Sequence, residues 1–291
     1  MDIRSATEAD LVPIAELAAR LQTDPARTVV YLGADAAGIE AELAEIDWRS
    51  ISALAFDDDR LLGWLIGDAD AELGRVFWLG PFVADSGLDT GEWNEIASQL
   101  YTSCHGLLPA EMTEEEIAID ARFERCDTWA QAHGFAPDSE SLVLVLESDV
   151  EGPSLAVRHV VDNDLELLGA LHEQLFPGTH ATGRQLVEDG DDDHVRLVTE
   201  IDGKPAGYVA FEFQPDGAGY IDFLGVADSN RRRGLGAQLV RAAVEALHRR
   251  GAAPVNLTVR EDNRAARDLY ISLGFREERV IRPLRKGFAV T

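Results

Sequence analysis

Lysine is almost absent from this acidic chain: Lys204 and Lys286 are the only two among 26 basic residues, against 53 acidic ones. The formal net charge of -27 at pH 7 would repel a phosphate polymer at long range, so we expect no nucleic-acid partner. The acidity indicates a solvated, self-repelling surface, with the run Glu188–Asp193 as a loop tip, and it leaves a preference for cationic substrates open.

Cysteines and long apolar runs are also scarce. Cys104 and Cys126 form no CxxC motif, and no Cys/His cluster has metal-ligand spacing, so we expect no metal and two reduced, buried thiols in a cytoplasmic protein. No run of about 18 apolar residues occurs, and the charged N-terminus lacks the apolar segment of a secretory signal. We therefore predict no membrane partner.

The two halves of the chain carry the same segments in the same order. Each begins with a short strand containing an arginine and an Asp-led helix start, at Asp2–Leu11 and Ala156–Leu165. A hairpin, an apolar strand and a helix ending in Gly-Phe follow. Val83 and Val226, which end the apolar strands, lie 143 residues apart, and the closing phenylalanines lie 140 apart. This spacing predicts one folding unit that occurs twice.

The polar segment Glu147–Ser154, with its glycine and proline, suits a linker between two domains, residues 1–150 and 155–291. In the second domain the order of strands and helices is mixed, which predicts an α/β fold with a mixed sheet flanked by helices. We expect strands at 155–159, 195–200, 206–213, 219–226, 255–260 and 276–281, and helices at 163–174, 235–250 and 263–273. The apolar stripe of the middle helix consists of Leu239, Val240, Ala243, Val244 and Leu247.

The segment Arg231–Gly236, RRRGLG, places three arginines and two glycines between an apolar strand and this helix. The first amides of a helix have no intrahelical acceptor and carry partial positive charge. Gly234 and Gly236 let the backbone turn and approach a ligand closely, and guanidinium donors suit phosphate oxygens. The alternative is a solvated loop with capping glycines. We favour an anion site for the pyrophosphate of a coenzyme.

The order strand, R-x-x-G-x-G, helix, strand, EDNRAARDLYISLGF resembles the GNAT superfamily of acyl-CoA-dependent N-acyltransferases. The first signature comprises Arg231, Gly234 and Gly236. The second comprises Asn263, Ala266, Leu269, Tyr270, Gly274 and Phe275. The motifs support the resemblance over residues of about 155–285. The first half shares it only because its segments repeat those of the second half. The arrangement resembles that of mycothiol synthase-like proteins with two tandem GNAT domains.

The resemblance implies acetyl-CoA as co-substrate and a role for each motif. The strand ending at Leu224, Gly225 and Val226 would splay from its neighbour, so that its backbone bonds the acetyl carbonyl and the pantetheine amide. Asn263 would bond the pantetheine arm, and Tyr270 would protonate the departing thiolate. The pyrophosphate would lie on the backbone amides of Arg231, Arg232, Arg233, Gly234, Leu235, Gly236 and Ala237.

A primary amine with a pKa near 10 must lose a proton before it attacks. Many members of the superfamily place a glutamate six residues before the valine that ends the strand, but this sequence has Tyr220 there. Asp222, two residues later in an apolar segment, is our first candidate base, and Glu212 is the second. A water chain would make both unnecessary. For Tyr270 the alternative is a core aromatic with a solvated hydroxyl.

The first half keeps the apolar positions of the repeat and lacks the polar ones. A tryptophan would fill the space of the pyrophosphate, and an aspartate would repel phosphate. We therefore expect residues 1–150 to be a non-catalytic copy that shapes the substrate cleft and buries an interdomain face. The aligned pairs are Asp89 with Arg232, Gly91 with Gly234, Trp93 with Gly236, Phe123 with Asn263 and Ala130 with Tyr270.

Together these patterns predict an N-acetyltransferase that moves an acetyl group from acetyl-CoA to the primary amine of a small molecule. An acyl-CoA-binding sensor or partner-binding module without turnover is the alternative, which Tyr220 favours. RRRGLG lacks the Lys-Ser/Thr of a P-loop and the first glycine of a dinucleotide fingerprint, which argues against a nucleotide-binding protein. The sequence leaves the acceptor, the use of other acyl groups and the oligomeric state open.

Overall fold

The computed structural model describes residues 1–71, 73–84, 88–152, 156–177, 182–188, 190–214 and 217–288. Pro153 and Ser154 of the predicted linker, Leu155 of the first predicted strand and Asp189 of the acidic run lie outside these ranges. Within them, no helix is long and apolar enough to cross a membrane. The chain forms two compact units, residues 1–140 with 280–291, and residues 141–279.

The first unit is a mixed sheet with helices. Its strands are β1 (Asp2–Arg4), β2 (Ser52–Asp57), β3 (Arg60–Asp70), β4 (Arg75–Val83), β5 (Glu114–Asp120) and the short β6 (Ala136–Pro137). Its helices are α1 (Leu11–Gln22), α2 (Ala36–Ala44), α3 (Thr90–His105) and α4 (Glu124–Ala132). The strands pair in the order β1-β2-β3-β4-β5, antiparallel except for β4 and β5, which are parallel.

The second unit repeats this plan. Its strands are β7 (Ser141–Leu146), β8 (Arg158–His159), β9 (His194–Ile201), β10 (Lys204–Phe213), β11 (Gly219–Val226), β12 (Val255–Arg260) and the start of β13 (Arg276–Gly287). Its helices are α5 (Leu165–Leu175), α6 (Gly183–Glu188), α7 (Leu235–Arg249) and α8 (Arg264–Ser272). The order is β7-β12-β11-β10-β9-β8, and only β11 and β12 pair in parallel.

Two strands pair in the unit that chain order would not assign to them. β7 precedes residue 150, yet it pairs with β12 in the second unit, with Leu144 opposite Leu257. The end of β13 pairs with β5 in the first unit, with Leu284 opposite Ile117. The division between the two compact units therefore differs from the boundary at 150–155 that the sequence predicts. Periodicity identifies a strand but not the sheet edge on which it pairs.

The same ion pair recurs near the start of each of the two sequence repeats. The guanidinium of Arg4 donates to Asp10 at 2.6 and 2.8 Å, and that of Arg158 donates to Asp164 at 2.7 Å to each oxygen. In each case the arginine's hydrogen bonds hold the pKa of the buried aspartate below its usual range. The pair fixes the strand to the following helix and confirms the repeat seen in the sequence.

Local periodicity predicted most elements of the second unit. The strands at 219–226 and 255–260 have the predicted bounds, and the apolar stripe of α7 is buried throughout. Helix α6 was not predicted. It packs on α5 through two glycines, because a Cβ at Gly183 would lie 2.4 Å from the carbonyl oxygen of Gly169. β13 runs to Gly287, six residues beyond the predicted 281, because its end pairs with β5.

We expect a fragment of residues 155–291 to fold poorly, because it lacks β7. Leu142, Leu144 and Leu146 are buried there, and each contributes about 1.5–3 kcal/mol, a sum comparable with the stability of a whole domain. A fragment of residues 141–279, which retains this strand, should unfold cooperatively on heating. Equal, cooperative melting of the two fragments by circular dichroism would contradict the pairing.

Candidate active site

β11 and β12 separate where the sequence predicted a splayed pair. Their parallel register covers only Gly219–Ile221 against Val255–Leu257, whereas β11 continues along β10 to Val226. A β-bulge interrupts the β10–β11 ladder at Asp222, since Ala210 pairs with Phe223 and Phe211 with Ile221. A bulge re-aims the side chains that follow it. The second unit therefore has a gap beside the end of β11.

The helix that follows β11 begins without a side-chain cap. Gly234 is the N-cap of α7, with a left-handed φ of +79° that favours glycine. The first amides of α7 consequently have neither an intrahelical acceptor nor one from the N-cap side chain. Arg231 is bound to the loop, because its guanidinium donates to the carbonyl of Val226 at 3.3 Å and pairs with Asp228 at 3.0 Å. The arrangement can receive an anion at the start of α7.

Gly236 lies where three elements meet. A Cβ placed there would approach Leu269 of α8 to 3.1 Å and would lie 3.9 and 4.0 Å from side-chain atoms of Leu224 and Val226. The glycine thus permits close packing of α7 on α8, and it keeps the backbone at the helix start uncovered. Both functions explain the glycine that the motif requires.

Asn263 has a structural role, and its predicted bond to the pantetheine arm stays a prediction. It is the N-cap of α8, and its side-chain oxygen accepts a hydrogen bond from the amide of Ala266 at 3.3 Å. Its side-chain amide group remains a donor of the kind predicted to bond the pantetheine arm. The cap fixes the start of the helix that carries Tyr270.

Tyr270 is buried and packs edge-on against Phe275, with 5.6 Å between the ring centroids. Burial, and after it the neighbouring Tyr220, raises the pKa of its phenol. The hydroxyl is therefore protonated at neutral pH and can serve as a proton donor. The aromatic packing expected of a core residue is present, and the role of Tyr270 as proton donor stays a prediction.

The two candidate bases flank Tyr220. Burial is the main cause that raises the pKa of the Tyr220 phenol, and the carboxylates of Asp222 and Glu212 raise it further. Asp222 also acts on the buried Tyr208, whose hydroxyl lies 2.7 Å from Nδ1 of His172. This tyrosine–histidine pair was not predicted, because nothing local to either residue shows that α5 crosses β10.

Glu212 lies directly opposite Tyr220 in the β10–β11 ladder and opposite His194 in the β9–β10 ladder. Nε2 of His194 is 3.8 Å from a carboxylate oxygen of Glu212, and its Nδ1 is 3.0 Å from Asp191. The sequence analysis missed this histidine as well. Period-two alternation places Glu212 and His194 on strand faces, but the register between strands is not a local signal.

The first unit closes the corresponding places with its own groups. Asp89, the N-cap of α3, accepts from the amide of Glu92 at 2.9 Å, and the side chain of Glu92 accepts from the amide of Asp89 at 2.9 Å. Trp93 is buried against Phe123 and Trp129. A carboxylate therefore occupies the helix start that is open in the second unit.

A chain segment also fills the gap beside β5. Val29 forms an antiparallel bridge with Ile119. The amide of Val30 donates to the carbonyl of Ala118 at 2.9 Å, and the amide of Asp120 donates to the carbonyl of Thr28 at 3.1 Å. These bonds use the edge of β5 that faces β4, since β13 pairs along the other edge. That the first half is non-catalytic stays a prediction, which this closure supports.

Residues 165–275 match the family described as the acetyltransferase (GNAT) family. A mycothiol acetyltransferase of Renibacterium salmoninarum is 33% identical over 111 residues, which are 38% of this chain and 30% of that protein. The matched regions thus span less than half the length of the curated relatives.

Two solved structures share the fold of nearly the whole chain. A GCN5-related N-acetyltransferase from Sphaerobacter thermophilus has a TM-score of 0.76 at 20% identity, over 98% of this chain and 95% of that one. A tandem GNAT protein from the clavulanic acid biosynthesis pathway has a TM-score of 0.69 at 14% identity, over all of both chains. At these identities the likeness concerns the fold. The resemblance is confirmed for the fold, which is that of a tandem GNAT protein, and residues 165–275 match the acetyltransferase (GNAT) family.

We expect Asn263→Ala to lower the free energy of unfolding by about 1 kcal/mol, because it removes the N-cap of α8. Asn263→Asp, which keeps a capping oxygen, should retain most of that stability. Urea denaturation of both variants measures the difference. Equal stability of the alanine variant and the parent chain would show that the cap is not formed in solution.

Proposed function

We propose that the second unit transfers the acetyl group of acetyl-CoA to a primary amine of a small molecule. The GNAT match supports an acyltransferase, and the proposal adds the donor, the acceptor class and the residues. One observation carries it: the start of α7 is uncapped and adjoins the gap between β11 and β12, within the part of the chain that matches the family.

The residues present fit acetyl-CoA. The amides at Arg231–Ala237 and the exposed guanidinium groups of Arg232 and Arg233 suit a pyrophosphate at the helix start. Asn263 suits an amide of the pantetheine arm. The backbone of Leu224–Val226, which pairs with β10 but lies beyond the register with β12, suits the pantetheine amide and the acetyl carbonyl. Bound acetyl-CoA would supply a thioester-activated acetyl group.

The chemical roles follow from the protonation states. Asp222 or Glu212 removes the proton of the ammonium, because only the neutral amine has a lone pair for attack. A backbone amide of β11 stabilises the carbonyl oxygen as it gains charge. Tyr270, whose hydroxyl is neutral, gives its proton to the departing sulfur.

We expect the double variant Arg232→Glu/Arg233→Glu to weaken acetyl-CoA binding by about 10-fold or more, because it replaces two phosphate donors with negative charges. Isothermal calorimetry with acetyl-CoA measures the affinity. Arg249→Glu, at the opposite end of α7, is the matched control and should bind normally. Unchanged affinity in the double variant would remove the helix start from the site.

We expect Tyr270→Phe to reduce the rate of CoA release with an active amine by about 100-fold, with acetyl-CoA affinity unchanged. Because burial raises the pKa of this phenol, the parent enzyme should show no loss of rate from its ionisation below about pH 10. A panel of primary amines, scored by thiol release, supplies the acceptor. Tyr31→Phe in the first unit is the control. Acetyl-CoA binding without thiol release from any amine would favour the sensor function instead.

A further inference from the structure

The proposed reaction releases one proton in each turnover, and this proton must leave the second unit. An ammonium and an acetyl thioester give an amide, a thiol and a proton, since the sulfur keeps the proton donated by Tyr270 and Tyr270 regains one. Asp222 and Glu212 are the two carboxylates beside Tyr220. Glu212 lies beside His194, whereas Asp222 acts on Tyr208, which bonds His172. The two histidines differ in exposure.

The groups associated with Asp222 are buried in the core. This carboxylate acts electrostatically on Tyr208, whose hydroxyl lies 2.7 Å from Nδ1 of His172. His172 is fully buried, with its ring packed against Phe176 and Phe223. A proton delivered to this imidazole would create a charge in an apolar environment, which costs free energy.

The groups associated with Glu212 are partly exposed at the surface. The side chain of Glu212 is 33% exposed, and that of His194 is 49% exposed. Asp191 accepts from the imidazole with both oxygens, at 3.0 and 3.1 Å from Nδ1, which orients Nε2 toward Glu212 at 3.8 Å. Among the described residues, the charged groups that pair with the imidazole are these two carboxylates. The adjacent Asp193 is paired with Arg250.

Four polar residues lie side by side on consecutive strands, and we name His194, Glu212, Tyr220 and Asn256 the polar row. They occupy register positions across β9, β10, β11 and β12. Cross-strand neighbours have Cβ atoms about 5 Å apart, so the carboxylate of Glu212 lies one strand away from the position where GNAT proteins often carry glutamate.

The last member of the polar row suggests where the amine lies. The side-chain oxygen of Asn256 is buried and accepts no hydrogen bond from any described residue. A buried acceptor without a donor is costly unless a ligand supplies one. Asn256 pairs with Tyr220 in the β11–β12 ladder, one pair before Ile221 with Leu257, beyond which the two strands separate. An amine N–H in this gap would satisfy that oxygen.

We propose that Glu212 takes the proton of the acceptor ammonium and that His194, oriented by Asp191, passes it to solvent. The N–H bond breaks, its electron pair stays on nitrogen, and an O–H bond forms on Glu212. His194 then receives this proton at Nε2, directly after a small side-chain movement or through one water, and loses one to solvent. The inference rests on the proposed acetyl transfer. Glu212 is the catalytic base, and His194 and Asp191 are positioning and relay residues.

The test compares variants of Glu212 and His194, which lie at the surface, with a variant of Asp222, which lies beside the core. With the amine identified by thiol release, we expect Glu212→Gln to lower kcat by about 100-fold and Asp222→Asn by less than about 3-fold. His194→Ala should lower kcat by about 10-fold, and free imidazole in the buffer should restore most of it, whereas His159→Ala, an exposed histidine of β8, should change nothing. Circular dichroism monitors folding.

The opposite order, with Asp222→Asn inactive and Glu212→Gln active, overturns the proposal, as does a His194→Ala defect that imidazole leaves unchanged. A second measurement is independent of the acceptor. In histidine-labelled protein the ring NMR signals of His194 should shift in Glu212→Gln while those of His159 do not, and unmoved signals would refute the pair. Calorimetry with acetyl-CoA distinguishes failure of the proposed acetyl transfer from failure of the proton relay. If acetyl-CoA does not bind, the proposed function is wrong. If it binds but Asp222→Asn is the inactive variant, only the relay is wrong.

Discussion

The amides at the start of α7 are the constraint on which the account of the second unit depends. A helix start with no acceptor carries partial positive charge, and folding does not satisfy it here because the N-cap is a glycine. The same glycine adopts the left-handed conformation that ends the loop carrying the three arginines. Since β11 and β12 diverge beside it, the open donors adjoin a gap with unpaired strand backbone.

The first unit shows what happens when those donors are satisfied internally. Asp89 and Glu92 cap α3 reciprocally, and the segment 28–30 bonds the edge of β5 that faces β4. The fold is retained because the apolar positions are the same. We predict that the capacity to bind an anion is lost, because a carboxylate accepts a hydrogen bond from the helix amides there. Two copies of one architecture can therefore differ in function through a few polar groups.

Local patterns predicted what depends on local structure. The repeat, the apolar stripe of α7 and the bounds of β11 and β12 were all readable, because helix and strand periodicities are short-range. The partners of β7 and β13 were not readable, since an edge is chosen by the whole sheet. The same limit applies to the polar row: Glu212 was a candidate from its type, but its position opposite Tyr220 and His194 depends on register, and the bulge at Asp222 is not visible in the alternation.

Hydrogen–deuterium exchange with and without acetyl-CoA tests the central claim most directly, because it reports on the backbone amides themselves. The account predicts that acetyl-CoA slows exchange at residues 231–237 and leaves residues 88–93, at the start of α3, unchanged. Protection at the start of α3, or at neither helix start, would contradict it.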